Sequence, residues 1–273
     1  MAEQDILYTK EDGIGTVTFN RPERMNAVTQ QMLVDLAAIV ADIIRDNDVR
    51  AMIITGNGRA FCSGTDVANL GRGDEKVQRE REERIRRREE IYRELPESPF
   101  SLWTFTRIPK PTIAAVNGAA VGMGVEWVAQ CDIRIASEDA RFGWVFSRRG
   151  LTPDTGAGPY LLPYIVGLSK ALELMYSGEI IDAREAEKIG LVSAVVPPDQ
   201  LLPAAKKMAR KLMQGAPLAL KGIKELTYGS LEWPPSVHQR ETRERFTSTN
   251  LTEDCREGIR SFREKRPPVW KGR

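Results

Sequence analysis

The stretch that decides the reading of this chain is Pro111-Thr112-Ile113-Ala114-Ala115-Val116-Asn117-Gly118-Ala119-Ala120-Val121-Gly122-Met123-Gly124-Val125-Glu126-Trp127-Val128-Ala129-Gln130-Cys131-Asp132. Its first part, Thr112 to Val116, is an apolar β-type run that breaks at Asn117-Gly118. A loop punctuated by Gly122 and Gly124 then leads into a short apolar helix carrying one carboxylate, Glu126. Glycine at a helix start lets a ligand approach the backbone, and the unpaired first-turn amides point outward with the positive end of the helix dipole. Such a place holds an oxyanion. A tight strand-to-helix connection with an incidental glutamate explains the same letters, and from this stretch alone both readings stay open.

Strands and helices alternate on either side. Residues 5 to 20 read as a hairpin turning at Asp12-Gly13, and Leu33, Leu36, Val40 and Ile43 space a helix from Thr29 to about Asp46. Ala51 to Thr55 is a continuous apolar strand of the kind buried on both faces, and Asp132 to Ala136 is another short strand. This alternation predicts a parallel sheet with crossover units. After the strand at residue 55 comes Ala60-Phe61-Cys62-Ser63-Gly64-Thr65-Asp66-Val67-Ala68, a small-residue loop able to present backbone amides, with Asp66 as a candidate cap. Residues 72 to 94 are Arg/Glu-rich, with Glu80 and Arg84, Glu82 and Arg86, Glu83 and Arg87, and Glu89 and Arg93 at the favourable i, i+4 order. Val77, Ile85 and Tyr92 supply a thin apolar stripe, which predicts a solvated helix leaning on the body by one edge. Asp154 stands on a Pro/Gly loop before an apolar helix, where a helix N-cap is the plain alternative to a functional role. From Ser169 a helix runs to Gly178, Asp182 with Glu185 opens another, and Leu191 to Val196 is the last β-type run. Beyond Pro198 only helical patterns follow, so residues 1–197 read as an α/β core and 198–273 as a helical segment.

The totals narrow the function classes. A length of 273 residues provides ample core, and 41% hydrophobic with 29% charged residues is ordinary for a globular protein. A net charge of +2 argues against nucleic acid as the main partner, and the glutamates of residues 72–94 nearly cancel the arginines. No apolar run reaches the roughly 18 residues of a membrane span, and the first residues lack signal-peptide features, so a cytoplasmic location is the expectation. Cys62, Cys131 and Cys255 form no CxxC pair and predict neither a disulfide framework nor a metal site. The single histidine, His238, rules out metal sites built on several histidines and has no recognisable nucleophile or orienting partner. Gly122-Met123-Gly124 is not a dinucleotide fingerprint, because the third glycine of GxGxxG falls on Trp127.

Two glycine-containing loops after buried strands, followed by a carboxylate in apolar surroundings, make a constellation suited to stabilising an enolate. Here the sequence resembles the crotonase superfamily of coenzyme A thioester enzymes, the enoyl-CoA hydratase/isomerase family. The resemblance runs through Asn20-Arg21-Pro22 with Asn26-Ala27, Ala60 to Asp66, Pro111 to Asp132, Phe142-Gly143, Pro153 to Gly158 and Gly190-Leu191-Val192. It implies an α/β spiral of stacked ββα units with a helical C-terminal segment that mediates homotrimers or dimers of trimers. It also implies an acyl-CoA substrate, of which coenzyme A is a part, with no separate cofactor and no metal. By family position the amides of Thr65 and Met123 form an oxyanion hole. Arg24, Ala27, Ser63, Gly64, Thr65, Asp66, Val67, Ala68, Gly122, Met123 and Phe146 would line the substrate.

Departures from the family pattern carry more information than the matches. Glu126 takes the position of the first hydratase glutamate, but the second falls on Phe146, which carries no proton. Asp154 instead takes the position of the catalytic aspartate of dienoyl-CoA isomerases and related ring-opening isomerases. The expectation is therefore isomerisation of an enoyl- or dienoyl-CoA double bond, with Asp154 and Glu126 as proton shuttles. An enoyl-CoA hydratase that holds water between the same two carboxylates is the alternative. From a different class comes a crotonase-fold RNA-binding protein that uses the Arg/Glu helix.

Overall fold

The computed structural model describes residues 4–66, 75–95 and 103–273. Strand β1 (Ile6–Glu11) and β2 (Ile14–Phe19) form the expected hairpin, and helix α1 (Gln30–Arg45) begins where the Thr29 hydroxyl accepts the Met32 N–H at 3.1 Å. Three strand pairs then follow: β3 (Ala51–Gly56) with β4 (Ala60–Cys62), β5 (Thr112–Val116) with β6 (Ala119–Val121), and β7 (Ile133–Ser137) with β8 (Arg141–Gly143). Helices come after them, α2 (Glu75–Arg93), α3 (Met123–Gln130), and α4 (Ala157–Val166) with α5 (Leu168–Ser177). The first member of each strand pair enters one sheet and the second member another. The larger sheet has the order β1-β2-β3-β5-β7-β10, parallel except at β1/β2, with β10 at Ala194–Val196. The smaller has the order β4-β6-β8-β9, where β9 (Ile180–Asp182) is antiparallel to β8. The repeated strand-strand-helix turn is the spiral of ββα units.

Alternation along β3 explains why its sequence is apolar throughout. Met52 and Ile54 join the core that contains Met32, Leu36, Val40 and Ile43 of α1, while Ile53 joins a second core on the opposite face. That second core is closed by Leu201, Ala205 and Ala209 of α7 (Leu201–Leu212). Helix α7 thus covers one face of the large sheet. Helices α6 (Ala183–Lys188), α8 (Pro217–Gly229), α9 (Pro235–Asn250) and α10 (Glu253–Glu264) complete the chain.

Several local expectations need correction. Residues 119–121, read as loop, are strand β6, because Asn117 turns the chain into the second sheet: its side chain accepts from Gly56 N–H (3.1 Å) and donates to the carbonyls of Gly58 (2.9 Å) and Ala60 (3.1 Å). A three-residue strand is too short to leave a periodic signal. Helix α5 starts one residue before Ser169, after Gly167. On α2 the Glu80–Arg84 pair forms at 3.8 Å, but Arg86 turns to Glu90 at 3.7 Å rather than to Glu82. Ile85 and Tyr92 are half-buried on the α2 edge, whereas the Val77 side chain lies outside the described residues. No helix among the described residues is long and apolar enough to cross a membrane.

Candidate active site

Two backbone segments meet where β4 and β6 end. Beyond β4 the chain is pinned to the 25–28 segment: Ser63 N–H donates to Met25 O (3.0 Å), Val28 N–H to Gly64 O (2.8 Å) and Asp66 N–H to Val28 O (2.9 Å). Gly64 has φ +100° and Gly122, at the N-cap of α3, has φ +56°, so both hold conformations that favour glycine. The two touch: a Cβ on Gly64 would lie 3.1 Å from Val121 O and 3.6 Å from Met123 N. Met123 is the first residue of α3, so its amide is an orphan of the first turn. Neither the Thr65 nor the Met123 N–H donates to a group among the described residues. Two free amides on adjoining backbones, one at a helix N-terminus, form a setting for an anionic oxygen.

Glu126 lies one turn further along α3 and is 0% exposed. Its Oε1 accepts from the Trp144 indole Nε1–H (2.8 Å) and the Gly158 N–H (2.9 Å), and its Oε2 accepts from the Thr155 hydroxyl (2.5 Å). Burial pushes its carboxyl above the ordinary range, the three donors oppose that, and the neighbouring Asp154 charge adds to the rise. The approach is possible because residue 158 is glycine; a Cβ there would collide with Glu126 Oε1 and would stand 2.6 Å from Trp144 Nε1.

Asp154 is not the N-cap of α4; Gly156 holds that position and the Thr155 hydroxyl accepts Ala157 N–H at 3.2 Å. The Asp154 carboxylate lies near the Thr65 hydroxyl and the amides of residues 154 and 155. Its edge is open to solvent, yet the protein around it raises its carboxyl above the usual aspartate range against those donors. Phe146 is 8% exposed, and its ring Cζ lies 4.0 Å from where a Gly122 Cβ would stand. An apolar ring therefore borders the amide pair.

The structure brings Gly64, Thr65, Gly122, Met123, Phe146, Glu126 and Asp154 together. Ser63 is half-buried beside them, and the Ala27 carbonyl accepts from Arg21 (2.6 Å), whose guanidinium also meets Asp66 at 3.3 Å. Asp66 is thus tied to Arg21. Arg24 is exposed on the turn at Pro22–Arg24 and makes no ion pair among the described residues. Val67 and Ala68 lie outside the described residues. His238 sits against the Leu226 carbonyl (3.1 Å), in contact between α8 and α9. Among the described residues no cluster could hold a metal ion. Sequence reading missed Trp144, Thr155 and Gly158 as the partners of Glu126. Their nearness to Asp154 in sequence was visible, but their direction toward α3 was not.

Comparisons with known proteins show the family. The sequence profile described as Enoyl-CoA hydratase/isomerase matches residues 9–273. The chain belongs to the enoyl-CoA hydratase/isomerase family. Similar relatives include the 2,3-dehydroadipyl-CoA hydratase of Escherichia coli, 33% identical over 98% of this chain and 99% of that one. The crotonyl-CoA hydratase of Syntrophomonas wolfei is 34% identical over 97% of each chain. The crystal structure of an enoyl-CoA hydratase from Bacillus anthracis superposes with a TM-score of 0.86 at 30% identity, covering 99% of this chain and 100% of that one. The protein is an enzyme of the enoyl-CoA hydratase/isomerase family with the crotonase fold, and an acyl-CoA substrate fits that family.

Proposed function

We propose that this enzyme moves a carbon-carbon double bond along the acyl chain of an enoyl- or dienoyl-CoA thioester. The thioester oxygen accepts from the Thr65 and Met123 amides, each donor lowering the barrier by about 3 to 4 kcal/mol as the oxygen takes on enolate charge. Asp154 removes a proton from one carbon of the conjugated system and returns it to another. The proton count closes without water, and coenzyme A leaves as it came, as part of the substrate. The observation that carries this reading is that Asp154 stands beside the Thr65 side chain, while the Thr65 amide donates to no group among the described residues. That nearness supports the reading, since proton abstraction next to a thioester requires the base and the oxyanion donors to lie side by side. Phe146 at the amide pair supports the same reading, since it adds an apolar wall and no second carboxylate.

Hydration is the second reading, and the names of the similar relatives favour it. It needs a water held between two carboxylates, and among the described residues the second carboxylate beside Asp154 is Glu126, closed off by three donors. Two assays separate the readings: a shift of a 3-enoyl- or dienoyl-CoA into conjugation, and loss of conjugation from a short 2-enoyl-CoA. Isomerisation predicts turnover in the first and little in the second. Hydration faster than isomerisation overturns the first reading.

The assembly belongs to the same proposal. Phe246 (68% exposed) and Leu251 (72%) from α9 and its end, with Ile259 (51%) and Phe262 (85%) on α10, present large apolar side chains to solvent in the single chain. Such exposure is unusual for a surface left uncovered, and a homotrimer or dimer of trimers formed through the C-terminal helices would bury it.

A further inference from the structure

We propose that Glu126 is a positioning residue that holds the Asp154 loop, and that it carries no proton to or from the substrate. The proposal rests on the reading of Asp154 as the proton carrier and concerns what keeps that group in place. A proton carrier must reach the reacting carbon, or a water beside it, at hydrogen-bond range. Glu126 has no exposed surface, and both of its oxygens are engaged by donors.

The three donors come from the segments that frame Asp154. Thr155 is the next residue in the chain, and Gly158 is in the first turn of α4. Trp144 lies two residues before Phe146. Helix α4 has glycine at its N-cap and therefore no side chain of its own there to accept a first-turn amide. Glu126 supplies that acceptor from another helix, taking the Gly158 amide directly and orienting the Thr155 hydroxyl, which accepts the Ala157 amide. The Thr155 carbonyl is held from the other side by the Trp103 indole (3.0 Å). Residue 155 is thus clamped at its hydroxyl and its carbonyl, and Asp154 is the residue it carries.

This assignment makes a distinctive demand on substitutions. Glutamine at 126 can keep the clamp, its oxygen accepting from Trp144 and Gly158 and its NH2 donating to the Thr155 hydroxyl oxygen. Alanine leaves all three donors without a partner. The test compares Glu126→Gln, Glu126→Ala and Asp154→Asn with the parent in the isomerase assay over a pH series, and by amide hydrogen exchange of residues 155–160 without substrate. The expected result is that Glu126→Gln keeps kcat within about tenfold and retains the acid limb of the pH profile. Glu126→Ala falls by about 100-fold or more, and exchange at residues 157 and 158 speeds up in the alanine variant but not in the glutamine variant. A Glu126→Gln loss as large as that of Asp154→Asn, or unchanged exchange in Glu126→Ala, overturns the proposal. If Asp154→Asn keeps full activity, or the parent does not isomerise, the functional reading fails. The exchange data still decide whether Glu126 is the anchor.

Discussion

At the scale of single residues, the two carboxylates of the site share a raised proton affinity and differ in reach. Asp154 is open at one edge and faces the Thr65 hydroxyl, whereas Glu126 is sealed. Asp154→Asn is expected to lower kcat about 100- to 10,000-fold with the fold intact, measured by steady-state turnover beside circular dichroism. In the proposed reaction Asp154 must be ionised to take a proton, and its carboxyl is raised, so activity in the parent is expected to fall as pH drops through that raised value. The loss sets in at higher pH than the roughly 3.9 of a free aspartate allows. Stability follows the opposite sense. A carboxyl raised in the folded state binds protons more tightly there than in the unfolded chain, so its contribution weakens as pH rises from below about 4.3 through the raised value. Glutamine does not titrate, so the Tm of Glu126→Gln relative to the parent is expected to climb as pH increases across that window. A calorimetric series checks the sign. Glu126 was visible in the sequence as a carboxylate at a helix start, but its three donors were not, because they come from residues 18 to 32 positions away.

At the scale of elements, the site depends on two close approaches. Helix α3 meets β4 because Gly124 has no side chain to enter the Cys62 carbonyl, and α4 meets α3 because residue 158 is glycine. Gly158→Ala forces a methyl group into the Glu126 carboxylate and the Trp144 indole. It is expected to cost about 1 to 3 kcal/mol in chemical denaturation and to lower kcat through the displaced Asp154 loop. The corner that delivers β4 to the site is held by Asn26, fully buried, which accepts from Arg21 N–H (2.8 Å) and donates to the carbonyls of Asn57 (3.0 Å) and Ala60 (2.7 Å). Asn26→Ala leaves these groups unpaired, and a loss of about 2 to 3 kcal/mol in the same measurement is expected. Long amphipathic elements such as α1 and α7 were legible because burial imposes a 3.6-residue period over several turns. Strands β6 and β9 were not, since three residues carry no period and their pairing is set by the neighbouring sheet.

At the scale of the molecule, the chain is a wound α/β body whose large sheet is covered by α1 on one face and α7 on the other. The helices beyond α7 expose Phe246 and Phe262, and replacing both with glutamate is expected to reduce a trimer to single chains in sedimentation or light-scattering measurements. A particle of single-chain mass in the parent would remove the assembly proposal. The sequence by itself determined the strand-helix alternation, the buried character of β3 and β5, and, through its motifs, the family. These are written locally, in hydrophobic period and in glycines whose backbone must turn sharply or approach another chain. Only the tertiary structure decided that α7 packs on the large sheet, that Asp154 comes near the Thr65 side chain, and that Glu126 faces inward to the start of α4. Each of these depends on which groups meet across the core after the spiral closes, and hydrogen-bond partners brought together over such separations leave no periodic trace along the chain.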